Sequence, residues 1–195
     1  MSPHFRIGRL LRCLRSGEQN LLSQVRHIAL APDSIRVESP SFSTGQPIPF
    51  RYTGFGQGLF PPLRWFDVPA DTQELALVIE DADAPLPFPI IHAIVYGIDP
   101  GSIGLVEGII PGHHKPPAET APAEFKIGRN SFRSSAWLAP HPLTGHGTHR
   151  YFFQLFALDK KLGFEKPPGR RQLLRAIRGH VIARGSIVGS SSDEG

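Results

Sequence analysis

Glycine and proline are spread through the whole chain, and this distribution limits the folds that the sequence can adopt. The 195 residues include 20 glycines and 20 prolines, which are not gathered into one low-complexity tract. Proline lacks a backbone donor and both residues interrupt regular structure, so the chain favours short strands joined by turns and irregular loops. The pattern argues against a helical bundle. With 40% hydrophobic residues, the chain can enclose a single core.

Short apolar runs between the glycine and proline breaks predict the strands. The run from Leu75 to Ile79 is apolar at nearly every position, which is typical of a strand covered on both faces. One helix is predicted over 170–178, with Gly179 ending it. The predicted strands lie at residues 35–38, 64–66, 75–80, 90–96, 151–158 and 180–188.

The first thirty residues form a basic amphipathic segment that differs from the rest of the chain. On a helix, four apolar residues would form one stripe and four arginines would fill the remaining arc, namely Ile7, Leu10, Leu11, Leu14, Arg6, Arg9, Arg12 and Arg15. Such a segment suits an organelle-targeting leader, a membrane-surface helix, or a helix that docks on the domain or on a second subunit. We therefore divide the chain into this segment (1–30), one domain (31–189) and a flexible tail (190–195).

The charge balance and the cysteine count narrow the choice of partners and compartment. The formal net charge of +4 predicts a mild attraction to polyanions, and we expect no nucleic-acid partner. Cys13 is the only cysteine, so an intramolecular disulfide is impossible and a reducing compartment is permitted. No apolar run is long enough to span a bilayer, while peripheral membrane contact and a homodimer stay open. We expect a cytoplasmic protein, with organelle targeting by the N-terminal segment as the alternative.

Three groups of polar residues have the chemistry of a functional site. Asp81 and Asp83 follow directly on the predicted buried strand, where aspartates also serve as ordinary turn formers. His92 lies within an apolar strand, where histidine is more often a hydrogen-bonded core residue than a ligand. The third group is a glycine-rich approach to His149 and Tyr151, and glycines let backbone N–H groups come close to a bound anion.

His149 and Tyr151 are two residues apart, so they share one face of the predicted strand while Arg150 points away. A phosphate oxygen could accept hydrogen bonds from the tyrosine O–H, from a protonated imidazole and from loop N–H groups. An aspartate would orient a histidine and favour its charged form. Arg150 is therefore expected to be a structural partner of a carboxylate or a backbone carbonyl.

The order of these motifs resembles the phosphatidylethanolamine-binding protein family, most closely its bacterial Raf kinase inhibitor-like branch. The similar motifs are Asp81-x-Asp83-Ala84-Pro85, His92, Gly128-x-Asn130, Pro140-x-Pro142, Gly147-x-His149-Arg150-Tyr151 and Phe153-x-Leu155-Phe156-Ala157-Leu158-Asp159. The resemblance covers residues 35–188 and leaves out the first thirty. It implies an antiparallel Greek-key β-sandwich with few short helices. It also implies a shallow cavity at one end that takes phosphate, phosphorylated head groups, acetate or similar anions.

The resemblance further implies which residues form the pocket. Members of the family often have a cis proline at the acidic turn, which makes Ala84-Pro85 a candidate. Trp137 and Ala139 depart from the family pattern, and we expect them to narrow the cavity or alter its entrance. We interpret two extra histidines near the rim, His141 and His146, as solvated loop side chains. The implied ligand-binding residues are Asp81, Asp83, His92, Pro140, His149 and Tyr151.

Three functions are compatible with this set of residues. The leading hypothesis is a protein that binds a small anion or a phosphorylated group without turning it over and without a cofactor. The alternative is a hydrolase or a metal-dependent enzyme, in which His92, His149 and an aspartate would hold the metal. The sequence contains no metalloprotease motif, nucleophile elbow or P-loop to support it. The third hypothesis is modulation of a protein partner, such as a kinase or a protease.

Overall fold

Two antiparallel sheets form the framework of the structure, a computed structural model that describes residues 3–112 and 125–193. The strands are β1 (Arg36–Glu38), β2 (Leu63–Phe66), β3 (Glu74–Asp81), β4 (Ile90–Ile98), β5 (Gly104–Leu105), β6 (Lys126–Ile127), β7 (His149–Leu158) and β8 (Val181–Ser191). The helices are α1 (Pro3–Leu11), α2 (Arg26–Ala29) and α3 (Arg170–Ala176).

The strand order confirms the predicted fold class. The smaller sheet has the order β1-β2-β5 and the larger one β6-β4-β3-β7-β8. Within the larger sheet β7 returns to lie beside β3, which gives the Greek-key order β7-β3-β4-β6. In the described ranges, none of the helices is both long and apolar enough to cross a membrane.

β3 is buried along its whole length, as its unbroken apolar run predicts. Successive side chains of a strand point to opposite faces. Leu77 and Ile79 face the core between the two sheets, whereas Ala76 and Val78 face a second core on the other side of the larger sheet, under α3. A strand covered on both faces has to be apolar at both sets of positions, and this is why the run lacks alternation.

Glu80 is a fully buried carboxylate on the second-core side of β3. Its Oε1 accepts a hydrogen bond from Arg170 Nε at 2.8 Å. Its Oε2 accepts from the backbone N–H of Leu22 at 2.6 Å and from the side-chain amide of Gln154 at 2.8 Å. A buried charge is tolerated when it is paired and hydrogen-bonded in this way. The bonds tie the N-terminal part of the chain and α3 to the same strand.

The predicted boundaries at residues 30 and 190 do not coincide with a change in packing. Leu22 and Ile28, which belong to the predicted N-terminal segment, are fully buried in the second core. β8 continues through Ser191, which pairs with His149, so the predicted flexible tail begins within a strand. Residues 194–195 of that tail lie outside the described residues. The division of the chain into residues 1–30, 31–189 and 190–195 stays a prediction.

Candidate functional site

A cavity of about 310 Å³ lies where β3 ends and where β4 and β7 begin. Four of the six predicted ligand-binding residues line it, namely Asp81, His92, His149 and Tyr151. Asp83 and Pro140 are not part of its lining. The rest of the wall is mostly apolar and includes Ile90, Leu138 and Leu143. A cavity of this size, with a few polar groups in an apolar wall, is typical of a small-molecule site.

The register of the central strands brings three of these side chains together. Asp81, the last residue of β3, pairs with Tyr151 of β7. Directly opposite residues of an antiparallel pair share a face of the sheet. His149 lies two residues before Tyr151 and shares that face, as predicted. All three side chains therefore lie at the end of the core between the two sheets.

His92 faces the cavity because β4 carries a bulge. Ile79 of β3 pairs with Ala93, and the next residue, Glu80, pairs with Ile91, so His92 is an extra residue between them. Strict alternation would turn His92 to the face opposite Ala93, into the second core. The bulge re-aims the side chain. The apolar run in the sequence predicts the strand but carries no signal for the bulge.

His92 presents a nitrogen without a partner to the cavity. Its Nδ1 lies 2.5 Å from the carbonyl oxygen of Leu138, which can only accept, so Nδ1 carries a proton. Its Nε2 is buried and has no hydrogen-bond partner among the described residues. Burial lowers the pKa of His92 from its ordinary 6.5, against the opposing effect of the Asp81 charge, so the ring is neutral near pH 7. Nε2 is therefore a buried acceptor that lacks a donor.

Tyr151 provides a hydrogen-bond donor beside that acceptor. Burial raises the pKa of Tyr151 well above 10.0, and the charges of Asp81 and Asp83 raise it further, so the phenol stays protonated. Its ring packs edge-on against His92, with the ring centroids 5.0 Å apart. Trp137, one of the departures from the family pattern, packs on His92 at a centroid distance of 6.0 Å. One wall thus combines a neutral imidazole acceptor with a phenol donor.

His149 lies in a buried chain of hydrogen bonds between Asp81 and His146. Its Nδ1 is 2.8 Å from Asp81 Oδ2, and its Nε2 is 2.7 Å from His146 Nδ1. His146 Nε2 contacts the carbonyl oxygens of Leu11 and Leu14 at 3.0 and 3.1 Å. The carbonyls at one end and an ionised carboxylate at the other can only accept, so the ring nitrogen that faces each end carries a proton. The two nitrogens that face each other share one more proton, which makes three protons on four ring nitrogens. With Asp81 ionised, the histidine pair carries one positive charge.

The interpretation of His146 as a solvated loop residue was wrong, because its side chain is fully buried. Gly147 has a φ of 99°, and this left-handed conformation turns the chain between His146 and His149 so that the two rings meet. The Gly-His-Gly sequence just before the strand was the feature of the sequence that could have indicated this turn. His141 is exposed, lines the cavity and stacks edge-on against Phe55 at a centroid distance of 4.3 Å.

Asp83 binds two arginines outside the cavity lining. Arg150 donates from Nε and Nη2 at 2.8 and 2.9 Å, and Arg15 Nη1 lies 2.8 Å from Asp83 Oδ1. Burial by itself would raise the pKa of Asp83, but the hydrogen bonds from Arg150 and Arg15 outweigh it and lower the pKa from 3.8 to about 2. The prediction that Arg150 pairs with a carboxylate is confirmed. Asp83 therefore supports the acidic turn, and this geometry gives no support for direct ligand contact.

Pro140 is buried behind the cavity wall. Its carbonyl accepts a hydrogen bond from the backbone N–H of Gly54 at 2.7 Å, which fixes the loop that brings Leu138 and Ala139 to the lining. Pro140 thus positions its neighbours. The expectation of a cis bond at Ala84-Pro85 was wrong, because every peptide bond in the described ranges is trans.

The N-terminal segment packs against the acidic turn beside the cavity. The backbone N–H groups of Ser16 and Gly17 donate to the carbonyls of Ala84 and Ala82 at 3.0 and 2.8 Å. The structure therefore shows this segment docked on the domain. Organelle targeting and contact with a membrane surface stay predictions.

A larger, more open cleft of about 890 Å³ lies at the opposite ends of β3 and β4. Its buried carboxylate, Glu74, already accepts hydrogen bonds from the backbone N–H groups of Gly97 and Leu162, at 2.7 Å each. The smaller cavity is the better candidate because it contains the acceptor without a donor. Among the described residues, no group of three His, Cys, Asp or Glu side chains is placed to hold a metal ion.

Comparisons with known proteins agree with the fold and the motifs. The sequence model of the phosphatidylethanolamine-binding protein family matches residues 38–192. A UPF0098 protein of Methanothermobacter thermautotrophicus is 34% identical over 155 residues, which span 80% of this chain and 97% of the relative. A UPF0098 protein of Chlamydia pneumoniae is 37% identical over 156 residues, spanning 78% of this chain and 95% of the relative.

Solved structures give the same assignment. The crystal structure of a protein from Chlamydia trachomatis, described as a homologue of the phosphatidylethanolamine-binding protein, has a TM-score of 0.71 at 33% identity, covering 82% of this chain and 97% of that one. Escherichia coli YbcL also has a TM-score of 0.71 and covers 80% of this chain and 97% of its own, but its 23% identity supports the fold alone. The matched family model spans most of the chain and both core sheets. This chain therefore belongs to the phosphatidylethanolamine-binding protein family.

Proposed function

We propose that the cavity binds a small anion or a phosphorylated head group that supplies a hydrogen-bond donor as well as acceptors. The observation that carries the proposal is the buried Nε2 of His92, which has no donor in the described residues. Leaving a buried acceptor unpaired costs about 1–3 kcal/mol. A ligand that brings a donor to Nε2 and an acceptor to the Tyr151 hydroxyl removes this cost.

The charges around the cavity balance one another, so they favour a phosphate with one negative charge over a phosphate with two. With Asp81 ionised, its charge is balanced by the single positive charge that His146 and His149 share. The two positive charges of Arg15 and Arg150 are balanced by the two carboxylates that they bind, Asp83 and Glu18. A singly protonated phosphomonoester would offer its P–O–H to His92. A head group with an ammonium would offer N–H donors instead.

The family relationship supports the same class of ligand. The family is described by its binding of phosphatidylethanolamine, whose head group combines a phosphate with an ammonium group. Such a head group carries both the acceptors and the donors that the cavity requires. Hydrolysis and modulation of a kinase or a protease stay predictions from the sequence.

Titration calorimetry of Tyr151→Phe with glycerol phosphate and with phosphoethanolamine tests the proposal. The substitution removes one donor and keeps the ring that packs on His92. A hydrogen bond to a charged group contributes about 1.5–3 kcal/mol, so we expect the affinity to fall at least about tenfold. Tyr96→Phe is the matched control, because Tyr96 is a buried tyrosine of β4 in the second core. It should bind like the wild type.

The proposal fails if the wild type binds neither probe, or if Tyr151→Phe and Tyr96→Phe bind equally well. His149→Ala would be a poorer test. His149 holds Asp81 and His146, and its removal would leave two buried polar groups unpaired. A loss of binding in that variant would not separate ligand contact from a damaged fold.

A further inference from the structure

The N-terminal helix α1 contacts the domain through a glycine rather than through its apolar stripe. A Cβ built on Gly8 would lie 2.0 Å from the carbonyl oxygen of Thr144, so this approach requires glycine. His146 holds the end of the segment through the carbonyls of Leu11 and Leu14. An amphipathic helix normally turns its apolar stripe towards the core. Here most of that stripe points to solvent.

The outer face of the segment is both apolar and cationic. Ile7, Leu10 and Leu14 are 51%, 84% and 55% exposed. No acidic residue occurs in residues 1–17. Three exposed arginines lie among the apolar side chains, at Arg6, Arg9 and Arg12. Exposed side chains of this size and number on one short segment indicate an interaction surface.

More apolar side chains are exposed near the cavity. Phe132 lines the cavity and is 64% exposed. Leu86 and Phe88 are 50% and 64% exposed and follow Ala84, whose carbonyl binds the N-terminal segment at Ser16. Separate stretches of the chain thus present large apolar groups at one end of the sandwich. We call this set the entrance surface, made of Ile7, Leu10, Leu14, Leu86, Phe88 and Phe132.

We propose that the entrance surface docks the protein on an anionic lipid bilayer. Apolar side chains of a basic amphipathic helix insert into the boundary between head groups and acyl chains. Arginines beside them are attracted to the negative potential of anionic lipids. The entrance surface combines both features, and the docked protein would turn its cavity towards the head groups. This inference does not depend on which ligand the cavity binds.

Two other occupants fit the same observations less well. A second copy of the chain, paired by a two-fold axis, would bring arginines opposite arginines, with no acidic residue among residues 1–17 to compensate. A bound peptide needs a groove with pockets for its anchoring side chains. The apolar groups of the entrance surface instead protrude, with half or more of each side chain exposed. Protruding groups insert into a fluid bilayer without a matching shape.

Co-sedimentation with vesicles tests the proposal. We expect the wild type to bind vesicles of phosphatidylcholine with about a third phosphatidylglycerol at least about tenfold more strongly than phosphatidylcholine alone, and to lose this preference in high salt. Leu10→Glu should abolish most of the binding, because it places a negative charge at the most exposed apolar position. Ile103→Glu is the matched control. Ile103 is 77% exposed and lies by the cleft at the opposite end of the sandwich.

The outcomes separate this proposal from its competitors. It is overturned if the wild type ignores anionic vesicles, or if Ile103→Glu loses as much binding as Leu10→Glu. It is also overturned if light scattering shows a dimer that Leu10→Glu dissociates, since the second copy would then be the occupant. Tyr151→Phe should keep the wild-type vesicle binding. A loss in that variant would mean that the cavity ligand, rather than the entrance surface, attaches the protein to lipid.

Discussion

His92 shows how a single backbone irregularity gives a residue its chemical role. The bulge in β4 moves the ring from the second core to the cavity, and the carbonyl of Leu138 fixes its tautomer. The ring is neutral near pH 7 because burial lowers its pKa. It therefore accepts a hydrogen bond as long as it stays neutral. A fully ionised phosphate has no donor to offer, so either the ligand or the ring has to take up a proton on binding.

Binding of glycerol phosphate at pH 7.5 should take up about one proton per site. The second pKa of a phosphomonoester is about 6, so the free ligand has lost the proton that His92 requires. Either the ligand or the His92 ring regains one in the complex. Calorimetry in two buffers with different ionisation enthalpies measures the uptake. His92→Asn keeps a donor for Leu138 and should bind more weakly without the uptake. A wild type that binds with no proton exchange would contradict this account.

At the residue scale, sequence reasoning found the polar groups but not all of their roles. Asp81, His149 and Tyr151 could be grouped because their motifs end or begin strands and alternate on one face. The pairing of Arg150 with a carboxylate followed from the same alternation. The roles of Asp83 and His146 could not be predicted. Asp83 is held by two arginines, and His146 binds backbone carbonyls of a distant segment. Contacts between residues far apart in the chain leave no local pattern.

At the scale of elements, α1 is stabilised by its contacts more than by its own length. A helix of nine residues is marginal in water, and this one is held by the close approach of Gly8 and by the bonds from His146. The amphipathic pattern predicted the helix but not which face contacts the domain. Glycine in the middle of a helix usually has a packing reason, and that was the signal for the true contact.

Gly8→Ala should loosen α1 although it raises the intrinsic helix propensity. Alanine is favoured over glycine in a helix by about 1 kcal/mol, whereas the added Cβ would meet the Thr144 carbonyl. We expect trypsin to cleave after Arg9 and Arg12 several-fold faster in the variant. Gly163→Ala is the control, since a Cβ at Gly163 has open space around it. Equal cleavage rates in wild type and Gly8→Ala would show that the contact does not hold the helix.

The strands themselves were predicted more closely than the helix contacts. Their positions followed from apolar runs bounded by proline and glycine, and the structure extends them by one to three residues at several ends. β3 was identified by its lack of alternation. β5 and β6 have two residues each, too few to give a periodic signal. The strands of the sandwich could thus be predicted from the sequence, because a strand that is buried on both faces has an unbroken run of apolar residues.

At the scale of the whole molecule, the ion pairs of Asp83 connect the N-terminal segment, the acidic turn and β7. Arg15 belongs to the first and Arg150 to the last. The pKa of Asp83 falls from 3.8 to about 2 because the bonds from both arginines outweigh the effect of burial. A carboxyl with a lowered pKa stabilises the fold at pH values above its ordinary pKa, and this contribution disappears as the pH falls through the lowered value.

We therefore expect the free energy of unfolding to lose on the order of 2 kcal/mol between about pH 4 and pH 2 through Asp83 alone. Urea unfolding across this range measures it. Asp83→Asn should be less stable at neutral pH and should show a correspondingly smaller loss in acid. Asp71→Asn replaces an exposed aspartate and should keep the wild-type dependence. Parallel pH profiles for wild type and Asp83→Asn would refute the role given to this carboxyl.

The neighbouring carboxylates Glu80 and Asp81 make β3 intolerant of changes in length. One binds Arg170 beneath the larger sheet, and the other binds His149 at the opposite face. An insertion or deletion of one amino acid within the strand would turn each of the two carboxylates to the opposite face of the sheet, because every side chain beyond the change switches faces. One such mutation would break both the Glu80–Arg170 contact and the Asp81–His149 contact. Genetic variation in length should therefore accumulate in the loops, while β3 keeps a constant number of residues.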